Sequence, residues 1–134
     1  MPNHAPLPHA HERLIIAKLF HTILVEGQRE YFPDRRNGET LTTLLVFGAV
    51  AIGHVEGRPM SASKLAGYLS IPRTTILRNL RALMRRSLVH KLGHIYCVNP
   101  DALKTPARSR APLRNKRLII NAAKQLLSET DTVR

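Results

Sequence analysis

Residues 65–89 read LAGYLSIPRTTILRNLRALMRRSLV, and the second half of that stretch holds five arginines and no acid. A guanidinium is a permanent cation with its donors in a planar fork. It fits a phosphate, or the O6 and N7 edge of a guanine. If residues 73–87 are helical, with about 100° between successive side chains, Ile76, Leu80, Leu83 and Met84 share one face and Ser87 lies beside them. Thr74, Arg78, Arg81, Ala82 and Arg85 then fall opposite, with Thr75 at the edge and Arg73 at the N-terminus. Short hydroxyl residues on the first turn, followed by arginines, suit a helix whose N-terminal end meets base edges while later turns meet phosphates.

The charge of the whole chain points the same way. The 134 residues carry a net charge of +12, and its location matters more than its size. Residues 1–60 balance six Lys/Arg against six Asp/Glu, and residues 118–134 balance two against two. Residues 61–117 hold thirteen Lys/Arg against the single acid Asp101. A face kept basic only for solubility would mix its signs, whereas a polyanion-binding surface would not.

Other chemistries find little support. No phosphate-cradling glycine loop, HExxH or Gly-x-Ser-x-Gly is present, so no catalytic residue is assigned and the chain is read as a non-enzyme. Seven histidines occur, with His4, His9 and His11 near the N-terminus and His21 and His54 isolated, but none has the spacing of a structural zinc site. Neither a metal nor another cofactor is expected. Cys97 is the one cysteine, which excludes an intramolecular disulfide and fits a reducing compartment. Residues 1–10 lack the apolar core of a signal peptide, and the longest apolar run, 44–52, is too short to span a bilayer. The expected location is cytoplasmic, with no membrane partner.

These residues need a scaffold, and the hydrophobic pattern outlines one. Residues 1–8 carry three prolines and no period, and read as a flexible tail. Leu14, Ile15, Leu19, Phe20, Ile23 and Leu24 recur at helical spacing, so a helix is expected from His9 to about Glu26, within an N-terminal segment of 9–30. Gly27 to Glu39 reads as a loop, from Pro33-Asp34 and Asn37-Gly38. From Leu41 to Val55 the chain is apolar nearly all round, which predicts the central core helix. Ser61 or Ser63 can cap the next helix, and Ser70-Ile71-Pro72 forms the turn. Residues 88–91 and 95–98 are β-type runs about Leu92-Gly93-His94, a hairpin signal. Lys104 to Arg117 contains two prolines and reads as a basic linker, and 118–134 as an amphipathic helix.

The stretch 65–89 resembles the winged helix-turn-helix of bacterial transcriptional regulators of the MarR-type and IclR-type families. The matching positions are Leu65-Ala66, Ile71-Pro72, Thr74-Thr75-Ile76, Arg78, Leu83 and Ser87-Leu88-Val89. Leu77 stands where those families often have a polar base-reading residue, and Ser87 replaces their usual Gly. The resemblance covers about residues 40–100 and implies a mainly α fold, with a three-helix core and a short β-hairpin wing over 39–103. It implies that Arg73, Thr74, Thr75 and Arg78 face bases, and that 88–98 is the wing. Lys64, Arg81, Arg85, Arg86, Lys91 and His94 are the candidates for backbone contacts. In MarR-type proteins the N- and C-terminal helices form a two-fold dimer interface, and the arrangement here looks similar.

The expected function is sequence-specific binding of double-stranded DNA by a homodimeric transcriptional regulator. A phage- or replication-type DNA-binding protein, or a winged-helix interaction module for an acidic partner protein, remains open. Nothing in the sequence indicates whether a small-molecule effector exists.

Overall fold

The computed structural model describes residues 5–34 and 38–132. Helix α1 spans Ala10–Tyr31 and α2 spans Gly38–Val55. They are followed by β1 (Met60–Ser61), α3 (Ala62–Leu69), α4 (Arg73–Arg85), β2 (Val89–Leu92), β3 (Ile95–Val98), a 3-10 turn (Pro100–Leu103) and α5 (Pro106–Thr132). The chain divides into two compact units, one formed by residues 27–109 and the other by the residues before and after them.

The 27–109 unit is a winged helix-turn-helix. Strand β3 lies between β1 and β2, antiparallel to both, with Met60 opposite Tyr96 and Val89 opposite Val98. Helix α2 packs on α3, α4, β1 and β3. Val46 and Val50 of α2 meet Leu65, Ile76, Leu80, Leu83 and Leu88 in a core where each is fully buried. Burying each such side chain contributes about 1.5–3 kcal/mol. Helix α2 is central as expected, but it is not buried all round. Leu41, Leu45, Ile52 and Val55 face outward on one side. Its 18 residues meet the length and apolarity of a membrane-crossing helix, although seven of them lie in the core.

Backbone chemistry explains the turn between α3 and α4. Ser61 caps α3, its Oγ accepting the Lys64 N–H at 3.2 Å. Ser70 then takes a left-handed φ of 55°, and the Ile71 N–H reaches back to the Ala66 carbonyl at 3.1 Å. Pro72 holds Ile71 out of the helical region, and its own carbonyl accepts the Ile76 N–H at 3.0 Å to start α4.

Helix α4 closes in the same way. Ser87 has φ 58°, its N–H donates to the Met84 carbonyl at 2.9 Å, and the Leu88 N–H donates to Leu83 at 3.0 Å. This pair of bonds is a Schellman cap, with serine where glycine is usual. The helix therefore stops at Arg85, short of the expected Ser87. The wing turns on Gly93 and His94, with Gly93 at φ 63° in the position that a two-residue II′ turn reserves for glycine.

Other expectations about the elements also differ from the structure. Helix α1 does not stop at Gly27. It runs to Tyr31 because Tyr31 packs edge-on to Phe47, with ring centroids 5.0 Å apart, and Phe32 is buried in the core. Gly27 serves close packing, since a Cβ there would lie 2.9 Å from Leu44 Cδ2. The expected linker 104–117 is helical from Pro106. The Thr105 carbonyl accepts the Ser109 N–H at 2.8 Å, and its hydroxyl accepts the Arg108 N–H at 3.4 Å. Pro106 fits a first helical turn, and Pro112 removes one interior bond without ending α5. The pair β1 was not expected, because two residues are too few to show a period. Of the tail expected over 1–8, residues 1–4 (His4 among them) lie outside the described residues, as does Asn37 of the expected loop.

In the other unit, the first part of α1 faces α5. Leu14, Ile15 and Leu19 line an open cavity of about 320 Å³ together with Leu118 and Ala122. Arg114 approaches Glu26 at 4.0 Å.

Candidate nucleic-acid interface

The core fixes which side of α4 is free. Ile76, Leu80 and Leu83 are fully buried, and Met84 is half-buried against them. Leu77 is also half-buried against the core, so the residue standing at a base-reading position of the regulator families points into the protein here. Asn79 lies in the core as well, at 1% exposure. Its amide donates to the Thr75 carbonyl at 2.8 Å, and its Oδ1 accepts from the Thr43 hydroxyl. With those positions turned inward, Arg73, Thr74, Arg78, Arg81 and Arg85 are exposed on one side of the helix, and Thr75 is half-exposed beside them.

The arginines differ in their commitments. Arg73 Nε donates to Ser63 Oγ at 3.2 Å, tying the start of α4 to the first turn of α3. Arg78 Nε donates to Glu39 Oε1 at 3.0 Å, across to the first turn of α2. Arg86 follows the helix and makes a two-pronged pair with Asp34, at 2.9 and 3.1 Å. Its guanidinium also stacks 4.9 Å over the Phe32 ring. Arg81 and Arg85 have no hydrogen-bond or ion-pair partner among the described residues. Arg78, Arg85 and Arg86 open with Glu39, Thr40 and Thr43 onto a cleft of about 250 Å³.

Lys64 is exposed on α3. On the wing, Lys91 and His94 are exposed, and the Lys91 ammonium lies 5.8 Å from the centroid of the buried Tyr96 ring on the paired strand. His90 is occupied in the structure of the hairpin. Its Nδ1 is hydrogen-bonded to Asn99 Oδ1, while the Asn99 amide donates to the Ser87 carbonyl at 2.7 Å. His54 is likewise structural, its Nδ1 accepting the Val98 N–H at 3.0 Å. Cys97 is buried on β3. Among the described residues, no three His, Cys, Asp or Glu side chains converge as metal ligands.

Sequence reasoning missed Asp34, Glu39 and Asn79. The two acids lie 52 and 39 positions from their arginines, so no local pattern links them. Asn79 could have been noticed as the polar residue on the inward side of an otherwise apolar stripe.

The fold is a winged helix-turn-helix whose second helix leaves a basic side exposed. No protein-family model matches the chain, and no curated protein matches it. Among solved structures, a transcriptional repressor, CouR, bound to p-coumaroyl-CoA, is similar over 95% of this chain and 91% of its own, at 18% identity and a TM-score of 0.40.

Proposed function

We propose that this chain binds double-stranded DNA sequence-specifically and acts as a homodimeric transcriptional regulator in the cytoplasm. The observation that carries this reading is the two-sidedness of α4. One side is locked in the core, and the other presents four arginines and two threonines with no acid on the helix itself. In the proposal α4 enters the major groove, where Arg73, Thr74, Thr75 and Arg78 meet base edges. Lys64, Arg81, Arg85 and Arg86 contact the backbone, and the wing brings Lys91 and His94 to phosphates or the adjacent minor groove. For Arg86 that contact means sharing or leaving Asp34.

The dimer reading draws on the outer helices. Helix α1 buries none of its 22 residues. Leu14, Ile16 and Phe20 on α1, and Leu113, Ile119, Ile120 and Leu127 on α5, remain exposed. Apolar side chains in such numbers on two helices are an interface in search of a partner. A two-fold dimer would set two copies of α4 on successive turns of a pseudo-palindromic site.

Selection of bound sequences from a random duplex pool tests the reading. The expected result is one enriched motif with two inverted half-sites. A pool that emerges without enrichment contradicts sequence-specific binding.

A further inference from the structure

We infer that Glu39 is a specificity-determining residue, which orients Arg78 for a base edge and turns it away from phosphate. The inference rests on the DNA reading above and adds a residue to it from a different helix.

The geometry supplies the reason. Arg78 donates through Nε to Glu39 Oε1 at 3.0 Å, and this is its only partner among the described residues. A guanidinium has five N–H donors, one on Nε and four on the two terminal nitrogens. Anchoring Nε leaves the terminal edge, Nη1 and Nη2, with the paired donors that a guanine O6 and N7 accept. An unanchored arginine samples many rotamers, and in a phosphate field it is drawn to the backbone. An arginine held at one atom has fewer orientations to lose on binding, so more of the contact energy depends on the base presented.

The carboxylate acts a second time through its charge. Glu39 stands beside Arg78 and Arg85 at a cleft that DNA phosphates would approach. A carboxylate there repels phosphate, which weakens binding to every sequence alike, while the oriented fork favours one base. The repulsion lowers affinity for all sequences and leaves the gap between them unchanged; the oriented fork widens the gap between specific and non-specific binding, and specificity is that gap. The pair is roughly half-exposed, with Arg78 at 60% and Glu39 at 51%, so it is a weak source of fold stability. A pair of that kind, on the one side of α4 left open to solvent, has more to gain from positioning than from holding the helix.

The test uses the full chain and two duplexes, the selected site and a scrambled sequence of the same length. Glu39→Ala should bind the scrambled duplex more tightly, with a salt dependence steeper by about one phosphate contact. It should also lose on the order of tenfold in discrimination at the base that Arg78→Ala relaxes. Glu39→Gln keeps an oxygen to accept from Nε and should hold most of that discrimination while sharing the gain on scrambled DNA. Adding Glu39→Ala to Arg78→Ala should leave discrimination at that base where Arg78→Ala alone puts it. If both Glu39 variants keep the wild-type base profile, or weaken all duplexes equally with an unchanged salt slope, the inference is overturned while the DNA reading stands. A wild-type chain that enriches no sequence overturns both.

Discussion

Asn79 on α4 accepts the Thr43 hydroxyl at 2.5 Å while its own amide donates to the Thr75 carbonyl at 2.8 Å. This buried polar link joins α4 to α2 inside the core that leaves Arg78 and Arg81 exposed. Replacing Asn79 with Ala should cost about 1–3 kcal/mol, as should Thr43→Val, since each leaves a polar atom in the core short of a partner. The Thr43 hydroxyl can still turn to the Glu39 carbonyl at 3.0 Å, which places Asn79→Ala toward the lower part of that range. Urea unfolding of both single variants and the double should show a joint loss smaller than the sum.

Ser87 caps α4 in a left-handed conformation that costs a side-chain-bearing residue about 1–2 kcal/mol. Glycine removes that strain and gives some of it back as freedom of the unfolded chain. Ser87→Gly should therefore raise stability by about 0.5–1 kcal/mol, and Ser87→Val should lower it. Thermal unfolding reads both.

Arg86 grips Asp34 through two nitrogens and covers Phe32. The pair is partly solvated, so Arg86→Ala should destabilise by about 1 kcal/mol. Lysine cannot reproduce the two-pronged geometry and should not restore the loss. Denaturation at low and high salt measures the electrostatic share.

The dimer reading makes Phe20, 59% exposed on α1, a sensitive position. Phe20→Asp should shift the mass in solution from dimer to monomer, as read by sedimentation. A wild-type chain sedimenting as a monomer at micromolar concentration contradicts the proposed interface.

The helix-turn-helix was legible in the sequence because residues 65–89 state their period plainly. Leu65 and Leu69 fall at helical spacing before Pro72, and Ile76, Leu80 and Leu83 after it, so Pro72 marks the break between the two helices. The unread parts are those in which one residue type has two uses. Gly27 reads as a stop but provides room for Leu44, and Pro106 reads as a loop residue but begins α5. The five arginines were visible as charge, yet their division into Arg73 on Ser63, Arg78 on Glu39, Arg86 on Asp34, and Arg81 and Arg85 without partners among the described residues is set by tertiary contacts. Leu77, a departure from the regulator pattern, is resolved by packing, because it is part of the wall between α4 and the core.

The measurement closest to the central claim is equilibrium binding of the selected duplex across a salt series, for the wild type and for Arg81→Ala. If about six to ten phosphates are neutralised, affinity should fall on the order of 10³–10⁵ between about 50 and 200 mM salt. Arg81→Ala should weaken binding on all sequences and reduce the salt slope by about one. A wild-type affinity that stays flat across the series would contradict DNA binding by this surface.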